Sequence, residues 1–196
     1  MTKLLLIFLL LSFPAYGALV DGVNSGFVTT APVADPDGSA DTQIDTLAFS
    51  MKVTSPADMT TITAMGAYIS TNPGNTPDFE LGIYTHDAGN DRPDALVGSS
   101  TAGALSAGVG WKTKAGLSIA LAPNTIYWLC MQCDNDAGGA TRLDRDSAGT
   151  PKRDYKTSQT ALPSPWGVSS GSFTGLLAIY AFYTTATTRG KMIMIY

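Results

Sequence analysis

The sequence predicts an all-β protein built as a two-sheet antiparallel β-sandwich. Three observations predict it. Short apolar runs with a period of two recur along the chain, separated by turns rich in Gly, Pro, Asn and Asp. Charged residues are only 14% of the chain, well below the roughly 25% of an ordinary soluble protein, and Gly, Ser, Thr and Ala fill the difference. No stretch of helical length carries a sustained 3.6-residue apolar period.

Residues 1–17 read as an address rather than as part of the fold. Lys3 precedes the run Leu4 to Leu11, and Ala15-Tyr16-Gly17 offers a small-x-small cleavage site. The apolar run is shorter than the roughly 20 residues that span a bilayer, so the expectation is a signal peptide cleaved before Ala18. The mature chain is then expected to be secreted, with no membrane insertion. Residues 18–43 are weakly patterned and read as an extended arm, with turns around Asp35-Pro36-Asp37-Gly38.

The sandwich proper is expected over 44–188. Leu47, Phe49, Met51 and Val53 alternate with smaller or polar residues, the mark of a half-buried strand. Ile62 to Ile69 follows as a second strand, and Phe79, Leu81 and Ile83 set a third. Leu96-Val97 opens a short strand after a turn-rich loop. Leu117, Ile119 and Leu121 alternate again. Ile126 to Cys133 is apolar almost throughout, which predicts a central strand covered on both faces. The stretch 134–165 shows little apolar periodicity and reads as a long polar connection. Phe173 to Tyr183 reads as one last strand.

The segments Leu81-Gly82-Ile83-Tyr84-Thr85, Pro93 to Val97, Gly110-Trp111, Leu117 to Leu121 and Ala122 to Leu129 carry a further pattern. Over about 45–183 it resembles the jelly-roll β-sandwich modules of secreted bacterial and virion surface proteins. That resemblance implies jelly-roll-like connectivity and one of three roles: carbohydrate binding, adhesion, or assembly. Asn124 stands where such modules commonly carry Gly.

At each position that could carry chemistry, packing is the competing explanation. The formal charge of −4 disfavours nucleic acid and anionic membrane surfaces as partners. Cys130 and Cys133 form a C-x-x-C, but in a regular strand an offset of three places the thiols on opposite faces, with Cα atoms about 10 Å apart. A disulfide within the strand needs closer approach, so the readings are two buried thiols, an intersubunit disulfide, or a local bridge across a β-bulge. His86 reads as a loop histidine, and Glu80 is the only glutamate, which leaves paired-carboxylate glycoside hydrolysis a remote alternative.

Asp134, Asp136, Asp144 and Asp146, or the group Asp35, Asp37 and Asp41, are the candidate oxygen ligands for calcium; no other cofactor is expected. Trp166, in a Pro-rich loop, and Trp111 are the candidate contacts for a glycan ring, with packing as the alternative for each. Tyr127 and Trp128 read as core. The segment 189–196 ends in Met192, Ile193, Met194, Ile195 and Tyr196. As a strand it is apolar on both faces and needs cover, from its own sandwich or from a neighbour. The expected function is therefore a non-catalytic extracellular structural or assembly subunit, a homo-oligomer or polymer. A carbohydrate-binding or adhesion module is the alternative.

Overall fold

The computed structural model describes residues 18–72, 74–136 and 138–185. The expected leader 1–17 and the apolar segment 189–196 lie outside the described residues. Among the described residues there are fourteen strands, and no helix is long and apolar enough to cross a membrane. In chain order they are β1 (Gly26–Val28), β2 (Ala40–Gln43), β3 (Leu47–Thr54), β4 (Met59–Thr71), β5 (Asp78–Asp87), β6 (Arg92–Ser99), β7 (Gly103–Ala104), β8 (Gly110–Ala120), β9 (Ile126–Asp134), β10 (Arg142–Asp146), β11 (Lys152–Lys156), β12 (Gly171–Thr174), β13 (Leu176–Leu177) and β14 (Ile179–Thr185).

Two seven-stranded sheets pack face to face. The first runs β1-β14-β4-β10-β13, with β8 on β4 and β2 on β10. The second runs β12-β11-β3-β9-β5-β6, with β7 on β5. Strand pairs are antiparallel except β1 on β14, which is parallel. The all-β sandwich predicted from alternation is therefore the fold, and its connectivity is consistent with a jelly roll.

The core follows from strand parity. Phe49, Met51 and Val53 of β3, Leu81 and Ile83 of β5, and Leu129 and Met131 of β9 face Met65, Ala67 and Ile69 of β4 and Ile179 and Ala181 of β14. Strand β9 is buried from Tyr127 to Cys133. It lies between β3 and β5, as its apolar sequence predicts. The turn before it places Asn124 at φ 50°, a left-handed conformation that Asn tolerates better than most residues.

Three expectations about local structure are corrected. The weakly patterned arm holds β1 and β2, both bonded into the chain's own first sheet. The polar stretch 134–165 holds β10 and β11. Their sequences, RLDRD and KRDYK, carry charge on inward as well as outward positions, which erases the alternation. The run 173–183 is not one strand. Gly175, at φ 121°, breaks it, so that β12 pairs in the second sheet and β13 in the first. The chain crosses between the sheets at that residue.

Candidate functional site

Each sheet also has an outer face, and each outer face is crossed by a strap of irregular chain. On the second sheet, Ala48, Tyr84, Trp128 and Cys130 point away from the main core and form a second cluster with Leu162 and Trp166. The strap 157–170 supplies the last two. Gln132 Nε2 donates to the Gln159 carbonyl at 2.8 Å, and Tyr84 Oη donates to the Pro163 carbonyl at 2.7 Å. The Trp166 amide donates to the Asp94 carbonyl at 2.8 Å. Gly82 permits this close approach, because a Cβ there would stand 2.7 Å from Leu162 Cδ1.

Trp166 is the correction this strap imposes. Its exposure is 0%, it meets Tyr84 edge to face at 5.3 Å, and its indole N–H donates to Ser169 Oγ at 3.0 Å. Ser169 in turn donates to Asp154 Oδ2 at 2.7 Å. A fully enclosed ring has no face for a sugar, so Trp166 packs and does not serve as a ligand platform.

On the first sheet the arm is the strap. Tyr180 leans over Gly66, where a Cβ would stand 2.4 Å from the Tyr180 ring. Trp111 packs edge to face on Tyr68 at 5.3 Å and on Tyr180 at 5.2 Å. The Trp111 indole N–H donates to the Ala34 carbonyl at 2.8 Å, so this ring is held by the arm at the margin of the core. It is the second residue of β8, just after the bend 107–109, and only part of it is exposed.

The same strap unites the two sets of aspartates. Pairing of β2 with β10 brings Asp35 and Asp37 close to Asp144, whose carboxyl they push up electrostatically after the larger effect of burial. Asp144 is already engaged: the Gly38 amide donates to Oδ2 at 2.9 Å and the Arg145 amide to Oδ1 at 2.9 Å. Asp146 Oδ1 accepts from Ser39 and Ala148. Asp136 accepts from Asn75 and the Thr141 amide. Asp134 stands at the far end of β9. Among the described residues no cluster has the arrangement of a metal site. Asp136, Asp144 and Asp146 fasten turns and the strap.

His86 ends a strand and packs rather than standing free in a loop. The Trp128 indole N–H donates to its Nδ1 at 3.2 Å, and its Nε2 lies 3.8 Å from Asp91 Oδ1. Lys52 Nζ donates to the same carboxylate at 2.6 Å, and this bond holds Asp91 below the usual carboxylate range. No Ser, Thr or Cys side chain hydrogen-bonds His86 among the described residues. Cys130 and Cys133 are both fully buried and unbridged. Cys130 faces the strap and Cys133 the main core, opposite faces as the offset of three requires. Burial pushes both thiols up, Cys133 to about 12. Enclosed on both faces, neither thiol can reach a neighbouring subunit, which removes the intersubunit disulfide.

Two concave features among the described residues bear on function. One is an open groove of about 760 Å³ between β6 and β8, lined by 97–102 and 113–120. Ile119 lies against Gly98 of β6, and Lys114 Nζ lies near the carbonyl of Gly103 in β7, so the segment 98–103 runs antiparallel to β8 along it. Among the described residues β6 bonds only β5, and β8 bonds only β4. Each therefore offers a free backbone edge. The second is a cavity of about 150 Å³ at the opposite side of the sandwich, where Arg145 of β10 and Arg153 of β11 meet Phe49, Tyr155 and Phe173. Sequence reasoning missed this cavity because both arginines lie in the stretch taken for a connection. No family model, curated protein or solved structure matches the chain.

Proposed function

We propose that this chain is a non-catalytic extracellular subunit that assembles with copies of itself by strand addition at the edge of β8. The observation that carries the reading is that free edge. Over 115–120 it borders the groove, while its other half is tied down by Lys112, which donates to Ser106 Oγ and the Ala107 carbonyl at 3.2 Å each. An uncovered edge is a template for another strand. The proposed occupant is 191–196 of a second copy, whose Met192 to Tyr196 are apolar on both faces of a strand. Five residues, 186–190, lie between the end of β14 and that segment, and reach up to about 17 Å when extended. The extracellular setting rests on the leader-like sequence of 1–17.

Light scattering behind size exclusion, on protein beginning at Ala18 and over a range of concentrations, tests this reading. A mass that grows with concentration, and collapses to monomer both on deleting 189–196 and in Ala115→Lys/Ser118→Lys, is the expected result. Both substituted positions are exposed, so the fold should tolerate them. A monomer at every concentration overturns assembly and leaves a binding module.

A further inference from the structure

The 150 Å³ cavity lies between the sheets, at the side where β2 and β10 of the first face β3, β11 and β12 of the second. Its chemistry is unusual for a sandwich interior. Arg153 is 7% exposed, and among the described residues it has no carboxylate ion pair. One terminal nitrogen donates to the Thr174 carbonyl, while its Nε has no partner. Arg145 stands on the facing sheet. Its Nε donates to the Asp41 carbonyl at 3.1 Å, and its two terminal nitrogens have no hydrogen bond within the described protein. Burial, and after it the charge of Arg145, bring Arg153 down to about 10. Asp146 acts on Arg153 through space only, its Oδ1 being taken by Ser39 and Ala148.

Asp154 also lines the cavity, but its Oδ2 is held by Ser169 and it forms no ion pair with either arginine among the described residues. Two guanidinium groups thus share a partly dry space without an ion-paired counter-charge, an arrangement that costs stability until an anion enters. Beside them runs a ladder of rings. Phe49 stacks on Tyr155 at 5.9 Å, and Tyr155 on Phe173 at 5.6 Å with 15° between planes. The outermost ring, Phe173, is 58% exposed. It sits on the edge strand β12, in register with Arg153. Nothing in the fold requires a phenyl group to stand there in water, and its stacked, outward position suits a planar partner.

We propose that this cavity binds a small organic carboxylate with one flat apolar face, the carboxylate on the free fork of Arg145 and the flat face on Phe173. The planar five-donor fork of arginine matches a carboxylate in a bidentate manner. The volume admits about one ring, smaller than the roughly 300 Å³ at which drug-sized sites begin, so a nucleotide or an oligomeric ligand is too large to enter whole. Arg153 acts behind Arg145 as a second positive charge, because its Nε is enclosed and its terminal nitrogen fastens the Thr174 corner. A free aromatic acid and the uronate end of a glycan both present this chemistry. The site is independent of the edge of β8, which lies on the other side of the sandwich.

The test is a titration of the purified protein with benzoate, with glucuronate and with inorganic phosphate, followed by the NMR signals of the Phe173 ring and the Arg145 side chain. Saturable shifts with benzoate, glucuronate or both are expected, with at least a tenfold weakening in Arg145→Gln and in Phe173→Ala. Saturation by glucuronate alone assigns the source as a sugar acid; saturation by benzoate alone assigns an aromatic acid. No saturation with either carboxylate overturns the proposal. So does phosphate binding as tightly as both, or affinity unchanged in the two variants. Phe173→Ala changes an exposed side chain, so it keeps the test decisive should Arg145→Gln fail to fold.

Discussion

The two outer faces are built on the same plan and finished differently. Both carry large aromatic side chains, and both are crossed by a strap. Over the second sheet the strap 157–170 seals its cluster: Trp128 and Trp166 are each 0% exposed, and buried apolar packing adds to the hydrogen bonds that hold it. Over the first sheet the arm is held largely by polar bonds, among them Trp111 to Ala34 and Gly38 to Asp144. Val33 on it is 93% exposed. The difference teaches that a strap is as strong as the apolar area it buries. Hydrogen bonds at a wet margin fix its position but add only about 1 kcal/mol each.

The sharpest way to break this comparison is to remove one tryptophan from each strap. Trp166→Ala is expected to cost about 3–5 kcal/mol, the usual range for emptying a buried aromatic site. Trp111→Ala, at a part-exposed site, should cost markedly less, about 1–2 kcal/mol for the area it buries. Urea denaturation of both variants measures this, and equal losses would remove the distinction between the straps.

A smaller effect comes from pushing a strap away. Gly82→Val forces atoms against Leu162 and should cost about 1–3 kcal/mol by overpacking. Hydrogen exchange should rise over 159–166 and stay unchanged over 29–38. Thiol accessibility follows the same logic. Native protein should react with an aromatic disulfide reagent only as fast as it opens, because both thiols are enclosed and held protonated. Gly82→Val should speed the reaction of Cys130, beneath the strap, more than that of Cys133.

The smallest effects are in pH, and they have opposite signs. Burial raises Asp144 above its ordinary 3.8, so the folded arm takes up a proton before the unfolded chain does. Between the raised value and 3.8, acidification should therefore tighten the arm. Asp91 lies below 3.8 because Lys52 bonds it. Its contribution is full above 3.8 and is lost as pH falls through the lowered value. Half exposure of Asp91 keeps that contribution small. Melting temperature against pH should show wild type gaining on Asp144→Asn as acid is added, and losing its advantage over Asp91→Asn in stronger acid.

The sandwich was legible in the sequence wherever one face of a strand is apolar and the other is not, as in β3 and β5. The doubly covered β9 was legible from its unbroken apolar run. The strands β10 and β11 were not, because Arg145 and Arg153 occupy inward positions and break the alternation. Those two arginines are also the cavity, so the sites hardest to see as strands carry the most unusual chemistry. Trp166 misled for a related reason: prolines around a tryptophan describe a loop, but only the facing residues Tyr84 and Gly82, distant in sequence, decide whether that loop is closed.

The crossing at Gly175 gives the sandwich a mechanical asymmetry. Within one residue the chain leaves β12 for β13, and the corner is so tight that a Cβ would stand 2.1 Å from the Asp146 carbonyl oxygen. The sheets are riveted there by covalent bonds. On the far side the connections from β7 to β8 and from β8 to β9 also cross between the sheets, but each has five residues of slack, 105–109 and 121–125. A load that parts the two layers will find no slack at the Gly175 corner, where no spare residue can pay out before the strands themselves must shift.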